Sequence, residues 1–132
     1  MKTVILLLIA LFFLASTQRA QKAYELVKRG GVYRQGCSAF VAAVLGTAWE
    51  NANTQMGSNP RPIGSNGNYN ARPGDIIGWK SSSGSGHTAV FVGRSDCKIA
   101  DVRNPGAIPR CLSSYGSQQV YKSSKYWNFF FW

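Results

Sequence analysis

The sequence predicts an α+β domain in which N-terminal helices pack on a small antiparallel sheet. Three observations lead there. Residues 38–45 form an alanine-rich apolar run with the composition of a buried helix. Three later runs, residues 75–80, 87–93 and 97–102, are short, apolar and separated by turn residues, as hairpin strands are. The chain has 132 residues and 45% hydrophobic content, which is enough for one modest core.

The first element is an export signal. Lys2 precedes an apolar stretch over residues 4–15, and small or polar residues follow it. That stretch is shorter than the ~20 apolar residues a lasting membrane anchor needs. Residues 1–20 therefore read as a secretory signal peptide cut after Ala20, with cuts after Ser16 or Thr17 as alternatives. The remaining residues, 21–132, make a single domain. Loss of Lys2 and Arg19 lowers the net charge from +10 to +8. A charge of that sign favours anionic partners, a bacterial wall or membrane surface above all. Export makes nucleic acid the least expected partner, and no stable membrane insertion is expected. No Asn-x-Ser/Thr sequon is present.

Residues 23–28 form a helical run with Tyr24, Leu26 and Val27 available to the core, stopped by Arg29-Gly30-Gly31. Cys37 lies at or just before the start of the 38–45 helix, which ends at Gly46. There the unpaired N–H groups and the helix dipole lower a thiol pKa. Residues 51–72 are dominated by Asn, Gly, Ser and Pro, with Met56, Ile63 and Tyr69 to bury, and read as a long binding loop. Pro73-Gly74 is a turn, and Asp75 beside it is a local cap. In the 75–80 strand Ile77 and Trp79 share one face and Ile76 takes the other. Residues 81–86 and 94–96 are turns. Residues 126–132 read as a last strand, with Trp127, Phe129 and Phe131 on one face and Phe130 and Trp132 on the other.

Exported proteins pair their cysteines. Cys97 and Cys111 flank a proline-bearing loop, whereas Cys37 lies sixty residues before the nearer of them. The expected bridge is Cys97–Cys111, worth about 3 kcal/mol in the chain-entropy model. Cys37 is left free as a nucleophile; an inert buried thiol and an intermolecular bridge are the competing readings.

A thiolate attacks an amide only if a base removes its proton and later protonates the leaving amine. His87 is the one histidine, and it opens a strand. Its second ring nitrogen needs an orienting partner. Asp101 follows fourteen positions later, and across an antiparallel hairpin an even separation puts both side chains on one face. Asn104 is the fallback if the register differs. One histidine and one free thiol are too few for a zinc site, and Gly84-Ser85-Gly86 lacks the Lys-Ser/Thr of a phosphate loop. No metal and no cofactor are expected.

The block Gly36-Cys37-Ser38-Ala39-Phe40-Val41, then Arg72-Pro73-Gly74-Asp75-Ile76-Ile77-Gly78-Trp79, then Gly86-His87-Thr88-Ala89-Val90-Phe91-Val92-Gly93, resembles the papain-like NlpC/P60 and CHAP superfamily of peptidoglycan peptidases and amidases. Within it, Leu45-Gly46-Thr47-Ala48-Trp49-Glu50-Asn51-Ala52-Asn53 is similar to the second family of type VI secretion amidase effectors and to their secreted relatives in ticks and mites. The resemblance covers essentially all of residues 21–132. It implies a cysteine-bearing helix on an antiparallel sheet that carries the histidine. It also implies hydrolysis of amide bonds in peptidoglycan stem peptides or crosslinks, by a secreted antibacterial monomer. The family nucleophile maps to Cys37, the base to His87 and the variable third residue to Asp101. The competing functional classes are a noncatalytic cationic wall-binding protein and a thiol peptidase of ordinary proteins.

Overall fold

No glycine or proline interrupts residues 2–29, and the backbone follows suit. In the computed structural model, which describes residues 2–126, helix α1 runs unbroken over Lys2–Arg29. The predicted helix at residues 23–28 is thus the last stretch of a longer one, because nothing in the export segment tells the backbone to stop. Gly30 and Gly31 end it as expected. Lys28 and Arg29 in the last turn meet the negative end of the helix dipole. Its two ends differ in surroundings. Val4, Ile5, Leu6, Leu7 and Leu8 are exposed, whereas Ala20, Ala23 and Leu26 are buried against the rest of the chain. Among the described residues no helix is long and apolar enough to cross a membrane.

Helix α2, Gly36–Leu45, buries Phe40, Val41 and Val44, a spacing that keeps one face inward. Burying side chains of this size stabilises the fold by about 1.5–3 kcal/mol each. Gly36 adopts a φ of 71°, and a Cβ there would lie 3.2 Å from the Pro105 nitrogen. Glycine therefore lets the 104–105 segment close over the start of the helix.

The predicted 51–72 loop contains two elements. Helix α3 is Ala52–Met56, and strand β1 is Arg61–Gly64. The signal for α3 is present in the sequence: Asn51 accepts a hydrogen bond from the Thr54 N–H at 2.8 Å, as an N-cap does. Strand β1 has one buried apolar residue, Ile63, and carries Pro62, a composition confined to sheet edges.

The other strands are β2 (Ile76–Trp79), β3 (His87–Phe91), β4 (Ile99–Val102), β5 (Pro109–Leu112) and β6 (Val120–Lys122). They join β1 in a sheet of order β1-β6-β2-β3-β4-β5, antiparallel throughout. The α+β class and the antiparallel sheet agree with the sequence reading. Strands β2 and β3 lie where they are predicted, and β4 starts two residues late. Of the predicted strand at 126–132, all but Tyr126 lies outside the described residues.

The sheet separates two cores. On the helix side, Ile76, Val90, Ala100 and Val102 pack with Phe40, Val41, Val44 and Ala23. On the far side, Ile77, Ala89, Phe91 and Ile99 pack with Ile63 and Val120 under Tyr69, Trp79 and Tyr115. Ile76 and Ile77 fall into different clusters, as strand alternation requires.

Candidate active site

Cys37 is the second residue of α2 and the one free cysteine among the described residues. Cys97 and Cys111 form a disulfide, as the spacing predicts. Helix geometry leaves the N–H groups of the first turn without a carbonyl four residues back, so the backbone at Cys37 and Ser38 offers donors and a positive dipole end. Gln35 at the cap supplies no side-chain hydrogen bond. The thiol lies in a groove of about 340 Å³ whose walls include Asn51, Gly86, His87, Arg103 and Asn104.

His87 opens β3 at the end of the sheet. Its side chain is 13% exposed, and its ring lies 5.0 Å from Trp79 and 5.3 Å from Tyr115, centroid to centroid. Trp79 is its cross-strand partner in β2. Close approach of those strands depends on Gly78, because a Cβ there would fall 1.9 Å from the His87 carbonyl oxygen.

The β3–β4 register pairs Val90 with Ala100, which puts Asp101 diagonally across from His87 on the same face. The His87 Nε2 is 2.8 Å from the Asp101 carboxylate. Asn104, the fallback, lines the groove wall instead.

Two further side chains complete the cluster, and the sequence reading assigns them no role. Arg110, directly opposite Asp101 in β5, donates from Nε to Oδ1 at 2.8 Å. Tyr115 donates from its hydroxyl to Oδ2 at 2.5 Å and lies 3.0 Å from Nε2. Arg110 could have been found from the hairpin through the Cys97–Cys111 bridge. Tyr115 sits in a segment with no periodic pattern.

This network fixes the histidine tautomer. Tyr115 and Arg110 both donate to Asp101, so the carboxylate is an acceptor for Nε2 as well, and Nε2 carries a hydrogen. That leaves Nδ1 open to the Cys37 thiol, which lines the same groove as the ring.

The electrostatics follow from the same contacts. Burial pushes the Cys37 thiol up, but its hydrogen bond to His87 and the charge of that ring outweigh burial and hold it below its ordinary value. Burial pulls His87 down, yet the hydrogen bonds to Asp101 and Cys37 raise it to about 9. Burial alone would push Asp101 up; donors from His87, Arg110 and Tyr115 bring it to about 2. Both shifts act in the direction of a thiolate beside an imidazolium, with a buried carboxylate behind the ring.

Asp75 behaves as the cap its turn predicts, accepting from the Arg72 N–H at 2.8 Å and pairing with Lys122 at 3.5 Å. Trp49 donates its indole N–H to Ser38 Oγ at 2.9 Å, one residue from Cys37. No protein-family model, curated protein or solved structure matches this chain.

Proposed function

We propose that this chain is a secreted cysteine amidase or endopeptidase of the papain-like NlpC/P60 type, acting on amide bonds in peptidoglycan stem peptides or crosslinks. The observation that carries the proposal is a groove lined by both Cys37 and His87, with the His87 Nε2 2.8 Å from the buried Asp101 carboxylate behind it. In this reading Cys37 attacks the scissile carbonyl as a thiolate, and the N–H groups at the start of α2 stabilise the oxyanion. The imidazolium of His87 then protonates the leaving amine. Neutral His87 takes a proton from water, whose oxygen attacks the acyl-enzyme; the C–S bond breaks and releases the thiolate beside the restored imidazolium. Asp101 holds the ring tautomer throughout.

Peptidoglycan as the substrate rests on the resemblance of the cysteine and histidine blocks and on the positive charge of residues 21–132. Secretion rests on the character of residues 1–20 and on the Cys97–Cys111 disulfide. Cleavage after Ala20 would keep Ala23 and Leu26, which anchor α1 in the core, and discard the exposed Val4 to Leu8 run together with the buried Ala20. N-terminal sequencing of secreted material checks that cut.

The deciding experiment is to incubate the protein with purified muropeptides and weigh the products. A mass gain of one water per cut, lost in Cys37→Ala, supports the assignment. Sacculus lysis retained by Cys37→Ala would assign the killing to cationic binding. Cleavage of casein without muropeptides would point to an ordinary peptidase.

A further inference from the structure

Behind the thiol and the imidazole lies a fully buried amide that the reaction itself does not use. Gln55, in α3, is 0% exposed. Its Nε2 donates to the Ser38 carbonyl oxygen at 2.8 Å, and its Oε1 accepts from Thr88 Oγ1 at 2.7 Å. Ser38 directly follows Cys37, and Thr88 directly follows His87. One side chain thus spans the two backbone segments that carry the reacting pair. Gln55 is itself anchored: its carbonyl accepts from Ser123 Oγ at 2.6 Å, and its N–H donates to the Asn51 carbonyl.

The amide can sit only one way round. A carbonyl such as that of Ser38 needs a donor, so Nε2 faces it and Oε1 faces Thr88. Thr88 has one hydroxyl hydrogen, and Oε1 takes it.

We propose that Gln55 is a positioning residue for the Cys37–His87 pair: it clamps α2 to β3 through the residue that follows the thiol and the residue that follows the imidazole. This rests on the thiol–imidazole reading above and extends it to a residue that touches neither reacting atom. Loss of the clamp leaves both halves folded but imperfectly aligned, which weakens the ion pair.

The test reads the thiol directly and needs no substrate. The rate of Cys37 alkylation by iodoacetamide is followed against pH in the full chain with its disulfide intact. The intact chain should show a midpoint below that of an ordinary thiol. Gln55→Met keeps the length of the side chain but neither hydrogen bond; its alkylation at pH 7 should fall about tenfold as the midpoint moves toward the ordinary range. Gln55→Glu can reproduce both contacts only while its carboxyl is protonated, so its behaviour should be near normal at low pH and fail as that group ionises. Thr88→Ser should behave as the intact chain does, and Thr88→Val should resemble Gln55→Met. If Gln55→Met does not fold, the Thr88 pair decides. A folded Gln55→Met or Thr88→Val with an unchanged profile overturns the clamp while leaving the catalytic pair intact. An ordinary thiol profile in the unaltered chain overturns the pair itself.

Discussion

The two faces of the sheet are built for different ends. The helix face is closed by Phe40, Val41, Val44, Val90 and Val102, with the Cys97–Cys111 bridge in the same cluster. The far face contains comparable apolar residues, but within its strands sit His87 and Asp101, with Tyr115 packed alongside. Strand alternation makes the separation sharp: in β5, Cys111 pairs with Ala100 while Arg110 pairs with Asp101. A thiol on the helix side and a carboxylate on the far side have no reason to communicate in mid-sheet. They do so because His87 is the first residue of β3, where its ring can reach Cys37 while Nε2 stays with Asp101. The lesson is that the link from thiol to carboxylate runs around the end of a strand, between two faces that each carry an apolar core.

Substitutions on the two faces should therefore separate activity from stability. The largest effect is expected for Cys37→Ala, which should lower muropeptide hydrolysis by at least about 10³-fold while circular dichroism and thermal midpoint stay unchanged. Asp101→Asn comes next. An amide in place of the carboxylate no longer fixes the ring tautomer, and turnover should drop by about 10²–10⁴-fold. NMR titration of His87 in that variant should show its pKa falling from about 9 toward its ordinary value of 6.5.

On the helix face the order reverses. Phe40→Ala should cost about 3–5 kcal/mol in denaturant unfolding because a fully buried ring leaves a cavity. The alkylation profile of Cys37 in whatever fraction remains folded should keep its midpoint. A result in which Phe40→Ala moved that midpoint as far as Asp101→Asn does would erase the division between the faces.

The pH dependence sharpens the same contrast. Turnover should rise as Cys37 deprotonates, at a pH below the ordinary thiol range, and fall as His87 loses its proton near pH 9. Stability follows a different window. The Asp101 carboxyl is depressed from 3.8 to about 2, so its contribution is present above 3.8 and lost as pH falls through 2. The His87 contribution is complete below 6.5 and lost as pH rises through about 9. Unfolding experiments should therefore find the combined contribution of these groups at a plateau between about pH 4 and 6.5.

The smallest expected change is Tyr115→Phe, which removes one donor to Asp101 but leaves Arg110 and His87. Turnover should fall about tenfold, in keeping with about 1.5 kcal/mol for a hydrogen bond to a charged group. A larger loss than that of Asp101→Asn would mean that Tyr115, with its ring against His87, holds the imidazole more firmly than the carboxylate does.

Much of this site is legible in the chain. A cysteine at the start of an apolar helix, a lone histidine opening a strand and an acid an even number of positions later predict which side chains converge. The hairpin register then brings Asp101, not Asn104, to the ring. Helix α3 and strand β1 are harder to read, because the Asn/Gly/Ser composition of residues 51–72 hides a five-residue helix behind one good cap, Asn51. Gln55 is invisible for the same reason: its importance comes from two contacts, to Ser38 and Thr88, that lie far away in sequence. Arg110 looks like one more surface cation until the pairing of β5 places it opposite Asp101.

Local rules thus determine the chemical types at the site and the elements that carry them, since capping, alternation and cysteine spacing act over a few residues. The tautomer of His87, the charge on Asp101 and the clamp at Gln55 are decided only when distant strands meet. Each depends on which donor stands within about 3 Å of which acceptor inside a water-poor interior, and no pattern of neighbours along the chain contains that distance.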